Sequence, residues 1–474
     1  MYKDIVRIDN SLRPYQQAAK GQIFSAWDDC DNVMFQMPTG TGKTRLFTSI
    51  ISDIKAWGII TQKEPKILII AHRVELIEQI SDNLDRYKVS HGIIAGGKER
   101  NLRPLVQVAS IQTITHRTNK DVASSLHVDF IIIDEAHHSI ANSYKKLWEL
   151  YPQAKKLGVT ATPWRMNHLG FTSIYNKLIV SKSIKEFIYE GWLAPYSYYS
   201  IKDNSNIRQN ISGIDEFDIE GDYKVSALER VMDKVSIRAN LLDSYLKLAR
   251  GKKGIIYSIS RKHSDHICEE YKQAGLNIVR IDSETPREER RMYVQRFRNG
   301  QIDIIVNVDI FSEGFDCPDI EFIQLARPTK SLVKYLQQVG RGLRPTSGKG
   351  KCVILDNVGS HIEFDLPNAD RDWNAEFNGE LAYKKKRSSS TKHADIEYKE
   401  RNFEEGVDDL SLIDDVEGIT LDDETVVSWK EEDDDLLKTL FVNRGCALSV
   451  IASVFNKEES AIKNRLIDLN LIQQ

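Results

Sequence analysis

Residues Gln36 to Leu46 read QMPTGTGKTRL, with two glycines, a lysine and a threonine at the spacing of a loop that wraps phosphates. The apolar run NVMFQMP precedes it and TRLFTSIISDIKAW, which reads as a helix, follows. That strand, loop, helix order is the context a P-loop requires, and it sets aside a glycine-rich turn arising by chance. Within Pro38, Thr39, Gly40, Thr41 and Gly42 the glycines let backbone N–H groups converge on a phosphate at a helix N-terminus. Lys43 supplies a point charge to the β- and γ-phosphates, and Thr44 offers a hydroxyl to Mg²⁺. Met37 departs from the Gly or Ala usual there, but it lies at the start of the loop.

Hydrolysis needs carboxylates as well as a cradle, and DFIIIDEAHH supplies a pair at the end of an apolar run. Asp134 is placed to hold the Mg²⁺ shell, and Glu135 to orient or deprotonate the attacking water. A capping Asp-Glu pair would look the same in isolation; beside a P-loop the catalytic reading prevails. His137 is assigned to coupling and His138 to no role, since no third Cys or His lies at metal-ligand spacing.

Outward from these motifs, short β-branched runs alternate with helical patterns in two groups, one between Asn32 and Thr162 and one between Lys253 and Val358. The expected fold class is α/β, with two parallel-sheet lobes. The expected organisation is a first lobe over 1–195, connector helices over 196–250, a second lobe over 251–363, a polar and acidic linker over 364–428, and a small helical module over 429–474. A length of 474 residues suits two or three domains. Residues 364–474 carry 26 acidic and 14 basic residues, which leaves a mildly basic body of the kind that suits a polyanionic partner. The stretch Glu404 to Glu424 has few large apolar residues and reads as a flexible linker. No apolar run is long enough to span a membrane and no secretory signal is evident, so a cytoplasmic protein is expected. Five scattered cysteines without a CxxC pair suggest reduced thiols.

The chain resembles the superfamily 2 helicases over roughly residues 10–360, because the remaining motifs of that family follow in order. LRPYQ (12–16) resembles the adenine-sensing motif, with Gln16 reading the base edge and Arg13 beside it; AHRVELIEQ, SIQT (110–113) and TAT (160–162) follow in the first lobe. The second lobe carries IIYSISR, then FSEGFDCPDI (311–320) and QQVGRGLR (337–344). The resemblance implies two tandem RecA-like lobes with ATP and Mg²⁺ in the cleft. It implies that Gly314 and Asp316 face the nucleotide and that Arg341 and Arg344 act as arginine fingers, completing a catalytic set with Lys43, Asp134 and Glu135. It places a nucleic-acid track at Arg73, Gln112, Thr113, Ser258, Arg261 and Ser312. Within the superfamily, LRPYQ, DEAHH and GRGLRP resemble the RadD, XPB and UvsW-like and type I/III restriction-subunit group. The RNA-acting DEAD-box group usually shows HRIGRAGR where this chain has QQVGRGLR. The expected activity is therefore a DNA helicase or translocase in repair, recombination or restriction; a motor subunit of a separate nuclease, an RNA helicase and a non-hydrolysing clamp are the alternatives. A monomer is expected.

The tail from Trp429 to Ile472 reads as three short helices with a core of Leu436, Leu437, Leu440, Ile451, Ala452, Ile462 and Leu466, resembling SANT/Myb-like modules. Lys457, Lys463, Asn464 and Arg465 could face a DNA groove, but Glu431 to Asp435 would repel phosphate, so DNA contact and protein docking both stand. Lys384 to Arg387 reads as a solvated basic run, and the lone ExK at Glu397 to Lys399 lacks the strand context of a nuclease.

Overall fold

The computed structural model describes residues 2–98, 100–116, 126–308, 317, 319–346, 348–381 and 410–418, together with parts of 434–472. The first sheet comprises β1 (Asn32–Gln36), β2 (Ile67–Ala71), β3 (His91–Ile94), β4 (Val106–Ser110), β5 (Phe130–Asp134), β6 (Lys155–Thr160) and β7 (Lys177–Val180), in the order β3-β4-β2-β5-β6-β1-β7 with every pair parallel. Helices Pro14–Asp29, Lys43–Thr61 and Val74–Arg86 flank it. The central strands β2, β4 and β5 are buried along their whole length. Covered on both faces, β2 and β5 read as nearly continuous apolar runs, while β4 buries Gln107, whose amide donates to the carbonyls of Asn101 and Pro104.

The second sheet comprises β8 (Tyr196–Ser200), β9 (Gly254–Tyr257), β10 (Ile278–Ile281), β11 (Ile304–Asn307), β12 (Phe322–Leu325), β13 (Cys352–Asp356) and β14 (Ser411–Val416). Its order is β10-β11-β9-β12-β13-β8-β14, parallel except for antiparallel β14 at the edge. The expected α/β architecture of two parallel-dominated sheets is thus the one observed. No helix among the described residues is long and apolar enough to cross a membrane.

Two stretches differ from the sequence reading. Tyr196–Ser200, placed in the connector, is a strand of the second sheet between β13 and β14. Residues 411–416, placed in a flexible acidic linker, form that sheet's outer strand. The acidic side chains are matched by partners: Ser197 Oγ donates to Asp415 at 2.6 Å, and Lys351 Nζ lies 2.9 Å from Asp415 and 2.5 Å from Glu417. Backbone pairing at a sheet edge needs no apolar side chains, so low hydrophobicity did not exclude a strand there. The rest of 404–424 lies outside the described residues.

The connector helices Asn206–Ser212, Val225–Met232 and Val235–Leu248 pack on the second lobe. In the tail, Leu437, Ile451, Ala452, Ile462 and Leu466 form a buried cluster with helices Leu448–Phe455 and Glu459–Asp468. Leu436 and Leu440 lie outside the described residues.

Deleting residues 410–418 should expose the β8 edge, with its unpaired backbone groups open to another chain. The expected outcome is a loss of about 1–3 kcal/mol of second-lobe stability and concentration-dependent association, read by thermal melting and light scattering. Unchanged melting and a monodisperse particle would show that β14 contributes nothing to the lobe.

Candidate nucleotide site between the two sheets

β1 delivers the chain into the P-loop, and the helix Lys43–Thr61 leaves it. Gly40 and Gly42 have φ of 89° and 91°, the left-handed region that side chains resist. A Cβ on Gly42 would also strike the Gln16 amide. The loop is gripped from the N-terminal side: Gln16 Nε2 donates to the carbonyls of Thr41 and Gly42 at 3.0 and 3.1 Å, and Tyr15 OH donates to Thr41 O at 2.7 Å. Arg13 donates to Tyr15 OH at 3.0 Å and stacks over Trp192, 4.9 Å from the ring centroid. Gln16, expected to read adenine, is here buried and committed to the loop backbone. Thr41 Oγ1 donates to Pro38 O at 2.7 Å.

Lys43 Nζ donates to the carbonyls of Met37 and Pro38 at 3.2 and 3.4 Å. Burial holds its ammonium below the ordinary lysine range; Glu135 and Asp134 oppose that, while Arg341 and Arg344 add to it. One amine thus lies in the field of two carboxylates from the first lobe and two guanidinium groups from the second. Thr44 stands beside Lys43 in the helix's first turn.

Asp134 ends β5, and Glu135 follows with φ of 50°, a left-handed conformation that costs a non-glycine residue about 1–3 kcal/mol. Glu135 N donates to Asp134 Oδ1 at 3.0 Å, and both side chains are largely buried. His137 Nδ1 lies 3.4 Å from Glu135 Oε2 and 3.1 Å from Thr160 Oγ1, so the ring joins the carboxylate to the TAT motif. The His138 ring packs between His137 and His72, tilted by 44° and 54° to them, with centroids 4.2 Å away on each side. Gln112 then donates to His72 O at 3.0 Å. Sequence reasoning gave His138 and His72 no role; their neighbourhood is a tertiary fact without a local signal.

The second lobe supplies the helix Leu332–Gly342, whose first turn is held by Asp222 of the connector: Lys330 N and Thr329 Oγ1 donate to it at 2.7 and 2.9 Å, and Lys334 Nζ lies 2.9 Å away. Burial alone would raise the Asp222 pKa, but Lys334 and the Lys330 N–H hold it below the ordinary range. At the helix's other end Lys349 Nζ donates to the carbonyls of Gly342 and Arg344 at 2.6 and 2.8 Å, fixing the backbone that carries both arginines. Arg341 is buried and Arg344 half-buried, with the Arg344 stem lying over Gly40. A Cβ on Gly340 would stand 2.8 Å from Thr39 Cβ, so the glycine backbone of the second lobe lies directly against a P-loop side chain of the first. Gly314 and Asp316 lie outside the described residues, as does Ser312.

Of the nucleic-acid residues, Arg73 caps the helix Val74–Arg86, and Gln112 and Thr113 lie nearby on Ile111–Thr115. Ser258 differs from expectation: it is 1% exposed, and its hydroxyl bonds Ser264 Oγ at 2.6 Å and Asn307 O at 3.1 Å, so it ties strands together inside the lobe. Arg261 is half exposed and ion-paired with Glu284. In the tail, Arg465 holds Asp434 through two hydrogen bonds at 2.8 and 2.7 Å, which takes its guanidinium away from a groove-facing role. Lys384 to Arg387, Glu397 to Lys399 and Lys457 lie outside the described residues.

Residues 9–165 match the family model described as type III restriction enzyme, res subunit, and residues 237–346 match the helicase conserved C-terminal domain. Both matches end before the C-terminal helices. The chain is 37% identical to a 51.5 kDa protein of a Lactococcus phage, over 74% of this chain and 71% of the phage protein. It is 30% identical to IRC3 of Saccharomyces cerevisiae, which carries the name of an ATP-dependent helicase, over 74% of this chain and 52% of the yeast protein. It is 24% identical to the protein named DNA 3′-5′ translocase XPB2 of Sulfurisphaera tokodaii, over 74% and 82% of the respective chains. A solved fragment assigned as the HsdR subunit of a type I restriction enzyme from Vibrio vulnificus superposes with a TM-score of 0.60 at 21% identity, covering 80% of this chain and 69% of that one. That likeness is one of fold, two tandem RecA-like lobes.

Gly340→Ala should push a methyl into Thr39 and spread the lobes at the P-loop, whereas Gly350→Ala meets open space. Because misplacement of about 1 Å costs on the order of 100-fold, nucleotide turnover should fall by about that factor in the first variant and stay unchanged in the second. Nucleotide affinity, measured by a fluorescent analogue, should change little, since the P-loop itself is intact.

Proposed function

Because the chain belongs to the superfamily 2 helicases, we propose that it is an ATP-driven motor that moves on DNA. The observation that carries this reading is the convergence on Lys43 of Asp134 and Glu135 from one lobe and Arg341 and Arg344 from the other. Among the described residues Lys43 donates only to the carbonyls of Met37 and Pro38, at 3.2 and 3.4 Å, and a phosphate oxygen would be a stronger, charged acceptor for it. Glu135 orients the attacking water and accepts its proton; His137, bridging Glu135 and Thr160, keeps the carboxylate aimed. Arg341 and Arg344 stabilise the charge on the transferring phosphoryl group only while the lobes are closed.

Mg²⁺ fits this donor set. Thr44 and Asp134 would hold it, and two protein oxygens are the number expected of an ion that keeps water and phosphate oxygens as its other ligands. Bound there, it would neutralise charge on the β- and γ-phosphates.

Loss of the shared γ-phosphate removes what the two lobes both grip, so closure and opening alternate with each turnover, and a lobe-spanning strand is advanced. DNA is favoured over RNA by the QQVGRGLR motif and by the relative named as a DNA translocase. A second reading, the motor subunit of a separate nuclease, is favoured by the family description over residues 9–165.

Lys43→Ala should weaken nucleotide binding and abolish turnover, while Glu135→Gln should abolish turnover yet still bind ATP. Robust hydrolysis by either variant, in an assay with and without single-stranded, forked and duplex DNA and with RNA, would remove the assignment.

Arg341→Ala and Arg344→Ala should each lower nucleic-acid-stimulated turnover by about 10³-fold, the scale of a lost arginine finger, with a modest change in ATP binding. Collapse of ATP affinity with turnover intact at saturation would make them ligand-binding residues instead.

A further inference from the structure

The second lobe reaches back to the first along a segment outside its sheet. After β13 the chain forms the helix Ser360–Phe364, runs irregularly through 365–372, and ends in the helix Trp373–Asn378. Its root lies against the helix Leu332–Gly342, where the Tyr335 ring stacks on Phe364 with centroids 5.5 Å apart. Its far end lies in the first lobe. Phe377 is buried there in a core cluster with Phe171, the two rings stacked at 15° with centroids 6.4 Å apart. Phe171 N donates to Phe377 O at 2.7 Å, and His168 Nδ1 lies 3.1 Å from Glu376 Oε2. A Cβ on Gly170 would stand 2.3 Å from Phe377 O, so any side chain at that position would break the approach.

The irregular part is drawn in by one guanidinium. Arg371 Nη1 donates to the carbonyls of Pro367 and Ala369 at 3.1 and 2.9 Å, and Nη2 to those of Phe364 and Leu366 at 2.9 and 3.0 Å. Extended chain spans about 3.3–3.6 Å per residue, so gathering these carbonyls on one group keeps 365–372 well short of their full reach. Asp372 then caps the last helix, accepting from Ala375 N at 2.9 Å. The place where the segment docks is equally telling. His168 and Phe171 lie on the loop after TAT, whose Thr160 bonds His137 beside Glu135. The same loop meets the connector: a Cβ on Gly221 would stand 2.8 Å from Met166 Sδ, and the next residue, Asp222, holds the first turn of the arginine-bearing helix. A cavity of about 200 Å³ is lined by Thr39 and Thr162 of the first lobe, Gly340 of the second, and Arg371 and Trp373 of the segment. The segment thus borders the point where the lobes touch at the P-loop.

We propose that residues 365–378 are a strap that holds the lobes at the spacing ATP hydrolysis needs while no nucleic acid is bound, with Phe377 and Arg371 as its positioning residues. The strap rests on the motor reading above. Phe377 holds the far end, and Arg371 sets the length between the ends. Neither belongs to the P-loop, the DEAH box or QQVGRGLR, so each acts through the placement of Arg341 and Arg344. Because the docking helix is covalently continuous with the second lobe, closure is an intramolecular event with a high effective concentration. A nucleic-acid strand held by both lobes would impose the same spacing by itself, so the strap matters most in its absence.

The test measures ATP turnover by the full chain, without nucleic acid and with saturating oligo-dT. Phe377→Ala should lower the nucleic-acid-free kcat by about 10- to 100-fold, because misplacement of about 1 Å costs on the order of 100-fold. KM for ATP should change little, since the spacing matters in the transition state. Arg371→Gln, which slackens the strap and leaves its dock intact, should act in the same direction. Phe377→Leu, which keeps most of the buried side chain, should recover most of the loss. Saturating oligo-dT should bring every variant close to wild type, whereas a merely structural defect would persist. Unchanged or raised nucleic-acid-free turnover in the alanine and glutamine variants overturns the strap, as does a loss that oligo-dT fails to restore. If Phe377→Ala does not fold, as judged by loss of ATP binding, Arg371→Gln decides alone on the same criteria. Wild-type protein that hydrolyses ATP only with oligo-dT overturns the strap and leaves the motor reading standing; wild-type protein that hydrolyses no ATP in either condition overturns both.

Discussion

The backbone of Gly340 in the second lobe packs against the Thr39 side chain of the first, and the arrangement of charge around Lys43 follows from that approach. It brings a helix end carrying two arginines onto a loop built to hold phosphate. The charges that act on Lys43 are divided between the lobes, with the carboxylates Asp134 and Glu135 in the first and the guanidinium groups of Arg341 and Arg344 in the second. Splitting the charges this way makes the spacing between lobes a variable of the chemistry. Like charges gathered around one ammonium are tolerable only while carboxylates balance them, and a bound triphosphate would supply further negative charge.

Positioning of that helix end is distributed over distant parts of the chain. Asp222, from the connector, holds the first turn, and Lys349, from the loop before β13, holds the last. The bonds from Lys349 satisfy carbonyl groups that a helix end leaves open, and they do so with a buried charge where water is scarce. On the other side, the rings of His72, His138 and His137 lie in series between the Gln112 region and Glu135. The three rings thus form one packed series that ends on the Glu135 carboxylate.

The legibility of the strands followed their place in the sheets. Runs such as DFIIIDEAH and KCVILDNV were readable because strands buried on both faces must be apolar throughout. β3 and β7 escaped notice because they are short and lie at the sheet's edges, half covered. β8 escaped because YSYYS has no aliphatic run: Tyr196, Tyr198 and Ser200 are buried, Ser197 and Tyr199 are half-buried, and both serines bond to neighbouring strands. β14 escaped because its stabilisation is backbone pairing plus acidic contacts to Ser197 and Lys351, neither of which leaves an apolar pattern.

Residue order was enough to establish the family and the α/β class, and to nominate the residues of the P-loop and DEAH box for the chemistry, because phosphate cradling and a strand-end carboxylate demand particular residue types within a few positions of one another. Which groups act together across hundreds of residues was settled by the packing of the folded chain. It set Ser258 inside the lobe, turned Arg465 onto Asp434, seated an acidic stretch as an edge strand, and stacked Phe377 on Phe171. Local motifs encode what a side chain is able to do; only the packing of two lobes sets the distances and burial that decide whether its charge meets a partner or a ligand.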